Sequence, residues 1–150
     1  DLLLTNERYE DTARFIATIP DQHINNELRI LYIRAINNLN LPDSQEMIAT
    51  LTSEITSDFQ EALQRQERLP YKEMALFYYC IESVPTNAVT HAYNNWQAQK
   101  EISDTLLLYR SALAANDQEV INEVESWINR VGVEDARLQA LTPSMAEDSR

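Results

Sequence analysis

The sequence is poor in the residues that tight turns and disulfides require: of its 150 residues, one is glycine and one is cysteine. A β-rich fold needs turn glycines and β-branched runs, so this scarcity argues against sheets. Cys80 has no second cysteine to pair with, which excludes an internal disulfide and hence a small disulfide-stapled secreted fold. A single glycine also excludes a glycine-rich phosphate-binding loop.

Long apolar runs are absent too. The longest, residues 74–81, has eight residues, well short of the roughly 20 that a membrane-spanning helix needs. We therefore expect no membrane insertion within this segment. The lack of a disulfide leaves cytoplasm and periplasm both open as the compartment. Because the chain starts at Asp1 rather than Met, we expect it to be a piece of a longer protein.

Positive charge is scarce: 24 acidic residues face 12 basic ones, for a net charge of −12. A nucleic-acid ligand requires a basic patch, so we expect no nucleic-acid binding. A basic protein partner is compatible with this charge, but an acidic excess also serves simply as a solvated surface. Charge alone does not choose between these two interpretations.

The residues that are abundant favour helices, and five prolines separate the periodic segments. The pattern predicts seven helices and a short eighth piece. Asp43 with Glu46 three residues later predicts a capping box, and Gly132 predicts a left-handed helix end. We expect a helical repeat domain over 1–141 and a flexible polar tail over 142–150. The predicted helices cover residues 6–18, 24–39, 43–68, 70–83, 86–101, 103–115, 117–130 and 134–141.

The predicted helices alternate between two kinds. The second, fourth and sixth are apolar on nearly every side, so each must be covered by several neighbours. The third, fifth and seventh carry one apolar stripe and a wet opposite face. This alternation is typical of an α-solenoid of stacked antiparallel helix pairs, whereas a closed bundle would give every helix a similar stripe.

Three segments, residues 7–20, 26–40 and 106–141, resemble the tetratricopeptide (TPR) family of helix-pair repeats. In the first, the aromatic Tyr9 is followed by small residues, paired large apolar residues and a terminal Pro20. Asn40 and Asn116 stand where the family has a turn glycine. The resemblance implies an all-α, TPR-like solenoid of about seven helices and a role as a scaffold for protein interactions.

We expect such a scaffold to bind a protein or peptide partner in its groove, which the covered helices line. Tyr and Arg are enriched in interface hot spots. The alternative for each tyrosine is simple core packing, with its hydroxyl reaching a partner. Uncovered apolar ends of a solenoid also favour self-association. The candidate partner-binding residues on the covered helices are Arg29, Tyr32, Arg34, Tyr78 and Arg110.

The sequence contains no motif that predicts a catalytic or metal-binding site. Cys80 lies in the most apolar helix, where burial makes a thiol inert. His23 and Glu27 could supply half a metal site, but two further ligands would be needed. We therefore expect no enzyme, no metal and no cofactor. An enzyme built only from carboxylates would require acidic side chains converging in a pocket.

A second functional hypothesis rests on the acidic stretch of residues 117–135, which holds six acids and one base, Arg130. In this alternative the protein is an acidic chaperone or inhibitor that sequesters a basic partner, with an affinity that falls as salt rises. The competing interpretation is that these acids form the solvent-exposed face of the seventh helix.

Overall fold

The computed structural model describes residues 8–141, which contain eight α-helices, one short 3-10 helix (Asp21–His23) and no strand. The predicted all-α class is confirmed, whereas the predicted tail over 142–150 and the start of the first helix lie outside the described residues. The helices are α1 (Tyr9–Ile16), α2 (Asn26–Leu39), α3 (Ser44–Gln64), α4 (Tyr71–Cys80), α5 (Pro85–Ala98), α6 (Ile102–Ala115), α7 (Gln118–Val131) and α8 (Ala136–Leu141).

Three helices end at a residue in the left-handed conformation. Gly132 ends α7 with φ 69°, as predicted, and Asn40 and Asn116 end α2 and α6 with φ 48° and 55°. Asparagine tolerates this conformation better than most residues with a β-carbon. The two asparagines therefore end their helices in the conformation that glycine usually adopts at this position.

The predicted capping box at the start of α3 is wrong. Asp43 itself is left-handed, with φ 65°, and its side chain makes no capping hydrogen bond. Both the backbone N–H and the hydroxyl of Ser44 donate to the Leu41 carbonyl, at 3.3 and 2.9 Å. These hydrogen bonds close a tight turn that contains Asp43, and the Asp43 carboxylate therefore does not accept from the first N–H groups of α3.

The third and fourth helices end earlier than the periodicity predicts, because a non-glycine residue turns left-handed after each of them. Gln66 follows α3 and Ser83 follows α4, both with φ 54°. The Glu67 N–H donates back to the Ala62 carbonyl at 3.1 Å, the hydrogen bond that closes a Schellman-type helix end. Neither Gln nor Ser is a strong signal for such an end, so the sequence gives no clear stop there.

Burial follows the predicted alternation only in part, because α2 and α5 each bury five of their 14 residues. In α6 every residue from 104 to 109 is buried, and in α4 the run 74–77 is buried. By contrast, α3 buries only three of its 21 residues and α7 three of its 14. A helix buried on several sides needs neighbours on several sides, so α4 and α6 form the middle of the molecule.

The main helix–helix contacts join α1 to α2, α2 to α3, α4 to α5, α5 to α6 and α6 to α7, and in addition α2 to α4 and α4 to α6. One hydrophobic core runs through these contacts from Ile30 in α2 to Leu138 in α8. The 21-residue α3 extends past the start of α2, because Arg29 near that start already pairs with Glu54 and Asp58. Beyond this point Phe59 meets Phe77 of α4 edge-on, with ring centroids 5.7 Å apart.

Candidate functional site

A first row of charged side chains crosses the first turns of α2, α4 and α6. The Lys72 ammonium lies 3.4 Å from a Glu27 carboxylate oxygen, and both side chains are half-buried. Burial raises the pKa of Asp104, and the positive charge of Lys72 acts in the opposite direction. Lys72 in α4 therefore stands between an acid of α2 and an acid of α6.

A second row lies farther along the same three helices. Burial raises the pKa of the Cys80 thiol, while the nearby charges of Arg34 and Arg110 oppose that rise. Within each helix, the second-row residue follows the first-row residue by six to eight positions, or about two helical turns. The thiol thus has one guanidinium from each neighbouring helix close to it.

The two rows fix the relative direction of the helices. The first row joins early positions of α2, α4 and α6, and the second row joins later positions of the same helices. The three helices must therefore run side by side in the same direction, with the rows about 10 Å apart along their axes. We call the surface that carries Glu27, Arg34, Lys72, Cys80 and Arg110 the even-helix face; Asp104 is buried behind it.

The candidate partner-binding residues do not form one cluster. Arg34 and Arg110 lie on the even-helix face, and Arg34 also sits 6.0 Å above the Tyr9 ring. Arg29 and Tyr32 instead line a cleft between α1, α2 and α3. Arg29 is engaged there by the carboxylates of Glu54 and Asp58, at 3.6 and 3.1 Å, so it stabilises the α2–α3 pair.

Tyr78 points to α5 rather than toward the second row. Its ring stacks on His91, with centroids 5.4 Å apart, and Tyr71 stacks on the same imidazole at 6.2 Å. Burial lowers the pKa of His91, and its Nδ1 atom has no hydrogen-bond partner. The imidazole is therefore held neutral at pH 7 between two tyrosine rings, which is a packing role.

The acidic stretch of residues 117–135 is largely engaged within the molecule. The Asp117 carboxylate caps the Val120 N–H, and Asp135 binds Arg137 at 2.8 Å. The hydroxyls of Tyr93 and Tyr109 donate to two glutamates of α7, at 2.9 and 2.6 Å, and these acceptors are Glu123 and Glu125. Four of its six acids thus have structural roles in holding α7 and its ends.

The structure assembles no recognisable catalytic group in the part of the chain that it describes. There, no hydrogen bond joins Cys80 to His23 or His91, and no three His, Cys, Asp or Glu side chains are grouped so as to hold a metal ion. None of the helices between residues 8 and 141 is long and apolar enough to cross a membrane.

The Cys80 thiol gives a first test of the even-helix face. Because burial dominates over the two arginines, we expect Cys80 to react with a thiol reagent at pH 7 at least about tenfold more slowly than in the urea-unfolded chain. Its rate should rise with pH as the thiolate forms. A folded protein that reacts faster than the unfolded chain would show that the arginine charges outweigh burial.

Comparison with protein-family models, with curated proteins and with solved structures finds no match. The functional argument therefore rests on the geometry of the chain itself.

Proposed function

We propose that this protein is a non-catalytic scaffold that binds a protein or peptide partner on the even-helix face of a TPR-like helical stack. The observation that carries the proposal is the pair of side-chain rows, Glu27–Lys72–Asp104 and Arg34–Cys80–Arg110. They support a parallel alignment of every second helix, which is how a solenoid of helix pairs builds a continuous binding surface.

The contact pattern supports the same proposal. Contacts concentrate between chain neighbours and between successive even helices, and a repeat stack has contacts of this nearest-neighbour kind. A closed bundle would instead bring the first and last helices of the bundle together. The polar residues of the even-helix face stand on the covered helices α2, α4 and α6, whose other sides are packed against the core.

The scaffold interpretation is favoured over an acidic chaperone acting through α7. The intramolecular bonds made by Asp117, Glu123, Glu125 and Asp135 already account for most of the acids in that region. A partner that took Glu123 or Glu125 would have to break the hydrogen bonds that join α7 to Tyr93 of α5 and Tyr109 of α6.

The proposal predicts that binding depends on the arginines of the second row. A pull-down from an extract of the source organism should retain a partner on the wild-type protein and at least about tenfold less on the Arg34→Ala, Arg110→Ala double variant. The matched control is Arg14→Ala with Arg130→Ala, which removes the same charge from exposed positions on α1 and α7.

Circular dichroism should show all three proteins equally helical. A partner retained equally by the face variant and the control would contradict the proposal. So would a wild-type protein that retains nothing beyond what an unrelated acidic helical protein retains.

A further inference from the structure

A cleft separate from the even-helix face opens between α1, the Asp21–His23 turn, α2 and α3. Its volume is about 280 Å³, just below the range of about 300–1,000 Å³ typical of small-molecule pockets. That size suits a few inserted side chains better than a bulky cofactor. Its lining is mostly apolar and includes Ile16, Ile19, Ile24, Tyr32, Met47 and Leu51.

The cleft continues along α3 into a second depression of about 320 Å³, whose lining shares Met47 and Leu51 with the first. These two residues are four apart and so lie one above the other on the same face of α3. Met47 is 48% exposed, so its side chain is accessible to a partner at the junction of the two depressions. Together the two depressions form one continuous hollow, which we call the α3 trough. It is mostly apolar in the first depression, whereas Asp43, Glu46 and Thr50 stand beside Met47 and Leu51 in the second.

The rim of the α3 trough is acidic. Asp21 lines the first depression, and Asp43 and Glu46 line the second. All three residues are exposed, and none forms a salt bridge with another residue of the described chain. The one basic residue in the lining, Arg29, already has Glu54 and Asp58 as partners, so it does not neutralise the rim.

From this arrangement we propose that the α3 trough binds a basic amphipathic helix of a partner protein. Apolar side chains of that helix would occupy the trough, and its Lys or Arg residues would pair with Asp21, Asp43 and Glu46. An amphipathic helix presents its apolar side chains at i, i+3, i+4 and i+7, a spacing that an elongated groove accepts. The paired charges at the rim would give orientation and faster association.

A model peptide tests this directly. The probe is a fluorescein-labelled helix of about 14 residues made of Leu and Lys in the amphipathic pattern, and the comparison peptide has Glu in place of every Lys. Fluorescence anisotropy should show that the wild-type protein binds the Lys peptide with a Kd of about 10 µM or tighter. The Glu peptide should bind at least about tenfold more weakly, because it meets like charges at the rim.

Met47→Asp separates trough binding from general attraction between an acidic protein and a basic peptide. The substitution adds negative charge but removes an apolar contact from the trough, so we expect the Lys peptide to bind at least about tenfold more weakly. The matched control is Leu63→Asp on the same helix, outside the lining of both depressions, where the leucine is 55% exposed. It should bind the peptide as the wild type does.

Two outcomes overturn the inference: no binding of the Lys peptide at about 100 µM protein, or equal or tighter binding by Met47→Asp. The Arg34→Ala, Arg110→Ala variant should keep full affinity for the peptide, since its changes lie on the even-helix face. The peptide assay tests only the trough, whereas the pull-down tests partner binding at the even-helix face. A failure of one proposal can therefore be told apart from a failure of the other.

Discussion

Replacing Trp96 with Ala lowers the free energy of unfolding by about 3–5 kcal/mol, the usual cost of removing a large buried aromatic side chain. Trp96 is 1% exposed. Its indole N–H donates to the Thr105 hydroxyl at 3.0 Å, and Trp127 packs against it edge-on at 5.6 Å. The substitution thus removes contacts that join α5 to both α6 and α7, and urea denaturation followed by circular dichroism measures the loss.

Two control substitutions sharpen this prediction. Trp96→Phe keeps much of the packing and loses the hydrogen bond, so it should cost clearly less than Trp96→Ala. Trp127→Ala should also cost less, because Trp127 is only partly buried. A Trp96→Ala protein that unfolds at the wild-type urea concentration would contradict the packing of α5 against α6 described above.

The second large effect is a gain in stability from Asp104→Asn. Asp104 is 1% exposed, and neither of its carboxylate oxygens has a hydrogen-bond partner of normal geometry. Burial raises its pKa, while Lys72 and the amides of Gln99 and Asn95 act in the opposite direction. Asn keeps a polar side chain at this buried position, but it is neutral and therefore avoids the cost of a buried charge.

The effect has a definite pH dependence. An acid whose folded-state pKa lies above its unfolded value favours the folded state at low pH, and this contribution is lost as the pH rises through the folded-state pKa. Asp104→Asn should therefore stabilise the protein by on the order of 1 kcal/mol at pH 7.5 and by much less at pH 3.5. Urea denaturation of both proteins at both pH values tests this.

A loss of stability at pH 7.5 would show that the Lys72 charge more than compensates for the burial of Asp104. A gain of equal size at both pH values would show that ionisation of Asp104 is not the cause.

The helices themselves could be predicted largely from apolar periodicity and proline positions. Where the sequence supplied a residue suited to the left-handed conformation, as at Asn40, Asn116 and Gly132, the helix end was also predictable. Gln66 and Ser83 adopt the same conformation without being strong signals for it. A local sequence pattern therefore gives no signal for the ends of α3 and α4.

The residues of the even-helix face were only partly predictable. Periodicity predicts which helices are covered, and Arg34 and Arg110 lie on two of them. It does not give the rotation of each helix about its axis or its register against the next. For that reason the sequence predicts one binding surface for Arg29, Arg34 and Arg110. In the structure Arg29 lies on another side of α2, where it pairs with Glu54 and Asp58 of α3.

The α3 trough was missed because its residues are far apart in sequence and come from three helices and a turn. A local signal did exist in Met47, which lies one helical turn before Leu51 on the same face of α3. It extends the apolar face toward the start of the helix and is 48% exposed there, which leaves apolar surface for a further contact.

The measurement that most directly tests the scaffold proposal is site-specific photo-crosslinking in the extract that supplies the partner. A photoreactive phenylalanine analogue replaces Ala114, an exposed residue one turn beyond Arg110 on the same side of α6, or, as the control, Gln60 on the exposed side of α3. The proposal predicts a crosslinked partner protein from position 114 and none from position 60. Crosslinks to a partner from position 60 alone, or from neither position, would contradict binding at the even-helix face.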